Sequence, residues 1–136
     1  MAQQGAFNDV AKKALEFRNR YYKMLDDSQD RLNVAALYAP DVPMVCEWNG
    51  HPLSTVDDVR NYISALPKTS HQIDMVDAQP LPDNEDGDSF LLTVHGVVTY
   101  NDEHRREFYQ RMIIRRFEQR YYILNDYYRW LSERSQ

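Results

Sequence analysis

The chain has 136 residues, 43% hydrophobic and 27% charged, a mixture typical of a globular domain rather than of a disordered segment. It is long enough to bury a core of its own, so we expect a single domain over residues 1–136. The single cysteine, Cys46, excludes an internal disulfide framework and a zinc ribbon. No apolar run approaches the roughly 20 residues that a membrane-spanning helix needs, so no membrane partner is expected.

The first part of the chain predicts two helices. Apolar residues recur at steps of three and four over Phe7–Leu25, which indicates one amphipathic helix. Asp30 is placed to cap a short second helix that runs to Tyr38. Pro40 and Pro43 prevent this second helix from continuing.

A short hairpin and a third helix are predicted next. Residues 44–48 read as a strand, and Asn49-Gly50 is a strong signal for a tight type I′ turn, because both central residues take positive φ. Ser54 is expected to open a helix, with Asp57 as its capping-box partner. Pro67 ends that helix.

From residue 70 onward the apolar period changes to two, which predicts long antiparallel strands. Strict alternation along the last strand assigns Ile123 and Tyr127 to one face and Tyr128 to the other. Both faces of this sheet carry apolar residues, so we expect a second subunit to cover one of them. The loops between the strands are predicted at residues 82–88, 101–104 and 118–119.

The net charge of −5 is unevenly distributed, since residues 101–136 carry eight arginines against six acidic residues. A net acidic protein is not expected to bind nucleic acid strongly by itself, because phosphate contacts supply most of such affinity. Arg105, Arg111 and Arg115 share one strand phase and are candidates for an auxiliary RNA contact. A solvated strand face that protects the sheet from aggregation is the other interpretation.

Helices first and a long antiparallel sheet afterwards predict an α+β cone, with three helices packed on a curved sheet. A set of short motifs runs in order through nearly the whole chain: Phe17, Tyr21-Tyr22, Met24 and Asp26, Leu37-Tyr38, Trp48-Asn49-Gly50, Leu66-Pro67, Gln72-Ile73, Val76-Asp77, Gln79-Pro80, Arg106, Phe108, Gln110, Asp126 and Tyr128-Arg129-Trp130. This ordered set resembles the NTF2-related export proteins, a branch of the nuclear transport factor 2-like (NTF2-like) fold.

The resemblance implies a non-enzymatic adaptor subunit without a cofactor. Its implied partner is the NTF2-like domain of a TAP-type mRNA export receptor, bound sheet face to sheet face in a heterodimer that carries messenger ribonucleoprotein through the nuclear pore. Nucleoporins would be reached through that complex, which would shuttle between nucleus and cytoplasm.

Five residues form the predicted partner interface: Arg129, Tyr127, Asn125, Gln110 and Met112. The resemblance implies that Arg129 pairs with an acidic residue of the large subunit. A guanidinium among tyrosines can stack on a ring and present a bidentate fork, although a surface arginine whose stem covers an apolar rim is the simpler interpretation. Gln110 and Asn125, on the strand phases of Met112 and Tyr127, could supply interfacial hydrogen bonds or could face solvent.

Two other functions fit the predicted fold. A small-molecule isomerase or dehydratase would draw its acid–base pair from Asp126, His95, Tyr22 and Tyr128, although a lone histidine in a strand is more often structural. A homodimeric carrier of a small GTPase, like nuclear transport factor 2 itself, is the second alternative. A metal site is not expected, because the histidines are scattered and the acidic residues of 83–88 lack calcium-loop spacing.

Overall fold

The computed structural model describes residues 2–39, 44–81 and 89–131, with side chains described from residue 10 onward. The prolines at 40 and 43, the loop predicted at 82–88 and its acidic residues lie outside these ranges. No helix among the described residues is long and apolar enough to cross a membrane.

Three helices precede the long strands, as predicted. Helix α1 covers Ala2–Leu25, a 3-10 helix covers Arg31–Leu37, and α2 covers Val56–Ser64. The cap of α2 lies one residue later than predicted, because the Thr55 hydroxyl, not that of Ser54, accepts the Asp58 amide at 3.0 Å. The Asp58 carboxylate accepts the amide of Ser54, the residue before the cap, at 3.1 Å, so the bonds resemble a capping box displaced by one residue.

Six strands form one curved sheet in the order β2-β1-β6-β5-β4-β3. Every neighbouring pair is antiparallel except β1 and β6, which run parallel. The predicted turn at Asn49-Gly50 joins β1 to β2 with φ values of 50° and 88°. The strand bounds are β1 Val45–Trp48, β2 His51–Leu53, β3 Thr69–Pro80, β4 Phe90–Tyr100, β5 His104–Phe117 and β6 Arg120–Trp130.

Two register shifts bend the sheet into a cone. One lies in β3 between Ile73 and Met75, and the other lies in β6, where Ile113 pairs with Asn125 but Ile114 pairs with Ile123. The second shift corrects the prediction that Ile123 and Tyr127 share a face. Ile123 is fully buried and Tyr127 is half-buried on the opposite side, because the bulge inserts one residue between them.

The helices fill the concave side of the sheet. The apolar stripe of α1 is buried there, as the period predicted, and includes Val10, Ala14, Phe17, Tyr21 and Leu25. From α2, Val59 and Ile63 complete the same core. Burying these side chains against β4 and β5 supplies the main driving force for folding.

Glycine at position 96 is required by the bulge in β3. A Cβ at Gly96 would overlap the backbone carbonyl oxygen of Gln72 on the adjacent strand. We expect Gly96→Ala to lower the free energy of unfolding by about 1–3 kcal/mol, because backbone rather than a flexible side chain must move. Urea denaturation would measure this loss, with Thr99→Ala on the outer side of β4 as the control. Equal losses in the two variants would contradict the steric explanation.

Candidate functional site

The convex side of the sheet, here called the outer face, is built of cross-strand rows. In the first row Val45 of β1 lies beside Asn125, Ile113 and Leu91 of the next three strands. The second row places Glu47 beside Tyr127, Arg111 and Thr93. In the third row Arg129 lies beside Tyr109 and His95. An apolar row therefore borders a row that carries both charges and aromatic side chains.

Four side chains in the centre of the outer face, Tyr109, Arg111, Tyr127 and Arg129, are called the tyrosine–arginine cluster below. The Arg111 guanidinium lies 5.6 Å from the centre of the Tyr127 ring, and the Tyr109 and Tyr127 rings meet edge to face at 6.5 Å. Arg129 Nη1 donates to the Tyr127 hydroxyl at 3.3 Å. These contacts hold one guanidinium group against an aromatic ring and a second against its hydroxyl at the exposed face of the protein.

A shallow cavity of about 390 Å³ opens beside this cluster. Its lining includes the apolar side chains of Val45, Leu91 and Ile113, with Glu47 and Arg111 at its border. Val45 is 72% exposed, which is unusual for an aliphatic residue in a strand. Exposed aliphatic side chains beside aromatic and charged ones are typical of a protein-binding surface.

Three of the five predicted interface residues lie on the outer face: Arg129, Tyr127 and Asn125. The prediction is corrected for Gln110 and Met112, which are completely buried on the concave side. Along β5 they share the phase of Phe108, and they pair across the strands with the inward-facing Tyr128 and Asp126. The predicted RNA candidates Arg105, Arg111 and Arg115 are all exposed on the outer phase of β5.

The concave side encloses a polar network around Asp126, which is 2% exposed. One carboxylate oxygen accepts from Tyr38 Oη at 2.5 Å and from Trp48 Nε1 at 3.1 Å. The other accepts from Gln110 Nε2 at 2.8 Å, while Tyr22 donates to the Gln110 carbonyl at 2.5 Å. Burial raises the pKa of Asp126 to about 6, although its hydrogen bonds oppose that rise.

A second polar chain runs beside the first. His71 contacts the Asp26 carboxylate through Nδ1 at 2.7 Å and the Tyr128 hydroxyl through Nε2 at 2.9 Å. The His71 side chain is 1% exposed, and the Tyr128 ring stacks between Trp48 and Phe108. The sequence analysis did not select His71 as a functional residue. It lies on the same face of β3 as Ile73, which packs against the core, and this shared phase was the available signal.

The predicted acid–base constellation is not assembled. Asp126, Tyr22 and Tyr128 lie on the concave side, but His95 lies on the outer face with Nε2 3.9 Å from Glu107. The enclosed hydroxyls bond to protein partners, and burial raises the pKa values of Tyr22 and Tyr128 well above the ordinary value. Among the described residues no group of three or more metal-ligating side chains converges.

Comparison with known proteins agrees with this architecture. The model of the nuclear transport factor 2 (NTF2) domain matches residues 13–130. The chain belongs to the NTF2 family. A Caenorhabditis elegans NTF2-related export protein is 29% identical to this NTF2-family chain over 127 residues, covering 91% of this chain and 90% of its own length.

Solved structures share the fold. Nuclear transport factor 2 from Cryptosporidium parvum superimposes on this NTF2-family chain with a TM-score of 0.76 at 22% identity, covering 92% of this chain and 94% of that one. A chain from the complex of C. albicans Mtr2 with the Mex67 M domain superimposes with a TM-score of 0.70 at 12% identity, covering 90% and 96%.

The buried carboxyl group predicts a pH-dependent stability. Because the pKa of Asp126 is about 6 in the folded protein, against an ordinary value of 3.8, the folded state keeps a proton that the unfolded state has lost. The free energy of unfolding of the wild type is therefore expected to fall between pH 4 and 7 relative to that of Asp126→Asn, by about 3 kcal/mol.

Urea denaturation of both proteins at several pH values would measure this difference. Asp77→Asn, which removes an exposed carboxylate from β3, controls for net charge. If the difference in free energy of unfolding between the wild type and Asp126→Asn stayed constant over this pH range, the raised pKa assigned to Asp126 would be contradicted.

Proposed function

We propose that this chain is a non-enzymatic adaptor that pairs with the NTF2-like domain of a large mRNA export receptor and supports export of mRNA through the nuclear pore. Its C. elegans relative is named an NTF2-related export protein, and the Mtr2–Mex67 M domain complex contains a chain of the same fold. These names support a role in nuclear export.

The outer face is the observation that carries the proposal. Its apolar cavity would take side chains of the partner's sheet, while the tyrosine–arginine cluster would form the polar part of the interface. Arg129 and Arg111 share this face with Glu47 and Glu107, so the facing surface of the partner should carry charges of both signs in a complementary arrangement. We assign a partner carboxylate to Arg129, as the resemblance to the NTF2-related export proteins implies, because a carboxylate can accept both arms of the guanidinium fork.

The interior supports the non-enzymatic part of the proposal. The Asp126 carboxylate receives three hydrogen bonds from protein side chains, and Tyr22 is bonded to Gln110. A general acid or base must reach a proton of the substrate, whereas these groups are occupied by one another. The homodimeric carrier would use the same outer face, so the composition of the dimer separates the two functions.

The complex, rather than this chain alone, would reach nucleoporins and RNA and would shuttle between nucleus and cytoplasm. Arg111 borders the outer-face cavity and would be covered by the partner. Arg105 and Arg115 are exposed near opposite ends of β5, so they would remain available as auxiliary RNA contacts.

The heterodimer is tested by co-expressing this chain with the NTF2-like domain of the TAP-type receptor of the same organism. Light scattering should report a one-to-one complex. Arg129→Asp is expected to weaken binding by about 3 kcal/mol, or roughly two orders of magnitude in Kd, because it places a negative charge against the partner's carboxylate.

Arg60→Asp is the matched control, since Arg60 is an exposed arginine on α2, on the other side of the sheet. It should bind like the wild type. If the wild type formed a stable homodimer and did not bind the receptor domain, the adaptor function would be overturned in favour of the homodimeric carrier. Equal binding by Arg129→Asp and Arg60→Asp would remove Arg129 from the interface.

A further inference from the structure

A second cavity, of about 380 Å³, lies between α1 and the hairpin that joins β5 to β6. It is on the helical side of the sheet, away from the outer face, so it is not part of the proposed receptor interface. Its volume falls in the range of roughly 300–1,000 Å³ that small-molecule sites occupy. The α1 and hairpin elements bring together side chains that are about 100 residues apart in sequence.

Three cationic side chains line this cavity: Lys13 and Arg20 from α1, and Arg120 from the hairpin. Glu16 is the acidic residue of the same lining, so the formal charge of the lining is three minus one, or +2. The guanidinium groups of Arg20 and Arg120 have no hydrogen-bond or ion-pair partner among the described residues. In a protein of net charge −5, this local positive charge favours an anionic ligand.

Apart from Gln119, the remaining residues of the lining are apolar or aromatic. Phe17 and Leu37 form part of the lining and are otherwise almost completely buried. Tyr121 is held beside them by Phe90 at 5.9 Å and by the Lys13 ammonium, 5.7 Å from its ring centre. The site therefore combines cations with a flat apolar wall, which suits a ligand that carries both an anionic group and a ring.

We propose that this cavity binds a phosphate group carried on a nucleoside. Two guanidinium groups offer more donors than the two oxygens of a carboxylate can use, whereas a phosphate monoester has three terminal acceptor oxygens. The base would lie against the apolar wall. The nucleotide is either free or the 5′-phosphorylated end of a single RNA strand, because both carry the same terminal phosphate.

Isothermal titration of the full chain with uridine 5′-monophosphate, uridine and 5′-phosphorylated octauridylate would test the site at low and high salt. We expect the monophosphate to bind and uridine to fail. Arg120→Ala and Arg20→Ala should each weaken binding about tenfold, as expected for loss of a charge-assisted contact. Glu16→Gln should strengthen it, because the opposing charge is removed. This gain keeps the test informative if an arginine variant folds poorly.

Arg60→Ala, on α2, is the control and should bind like the wild type. Octauridylate that binds more tightly than the monophosphate, with a steep dependence on salt, would identify RNA as the source of the phosphate. Monophosphate binding without octauridylate binding would identify a free nucleotide. The proposal would be overturned if an octaglutamate peptide bound as tightly as the monophosphate. It would also be overturned if all three variants bound the monophosphate with the affinity of the wild type.

Discussion

The buried carboxylate of Asp126 fixes how the 3-10 helix and the strands around it come together. It lies on β6 and accepts hydrogen bonds from Tyr38 after the 3-10 helix, from Trp48 on β1 and from Gln110 on β5. A buried carboxylate left without donors would cost several kcal/mol, so these elements have to meet at this point. The parallel pairing of β1 with β6 is part of this requirement, because it places Cys46 opposite Asp126 and Trp48 two residues farther along.

The same network determines which face of the sheet is available to a partner. Gln110, Asp126 and Tyr128 must point inward to bond with the helices and with His71, so their strand neighbours point outward. Those neighbours are the tyrosines and arginines of the tyrosine–arginine cluster. Polar groups in the interior are bonded to one another and hold the fold together, whereas those of the outer face would be the ones to meet the proposed partner.

The sequence predicted the elements better than the faces. Apolar period, capping residues and the Asn49-Gly50 turn located the helices, the hairpin and the long strands, because each of these signals is local. The bulge in β6 was missed, and with it the faces of Ile123 and Tyr127, because a bulge follows from pairing with β5 rather than from the strand's own pattern. The strand pattern alone suggests Gln110 for the interface. The side chains that hold it inward, Tyr22 and Asp126, belong to distant elements and are not visible in the pattern of β5.

The rigid interior also affects how the outer face would bind. Tyr128 is stacked between Trp48 at 4.3 Å and Phe108 at 5.2 Å, and its chain neighbours Tyr127 and Arg129 belong to the tyrosine–arginine cluster. The backbone of β6 is therefore fixed directly beneath the proposed interface, and Tyr127 is already held by Arg111 and Arg129. Side chains ordered before association lose less conformational freedom on binding. In the proposed complex the buried network would contribute to recognition without touching the partner, because it sets the positions of the side chains on the outer face.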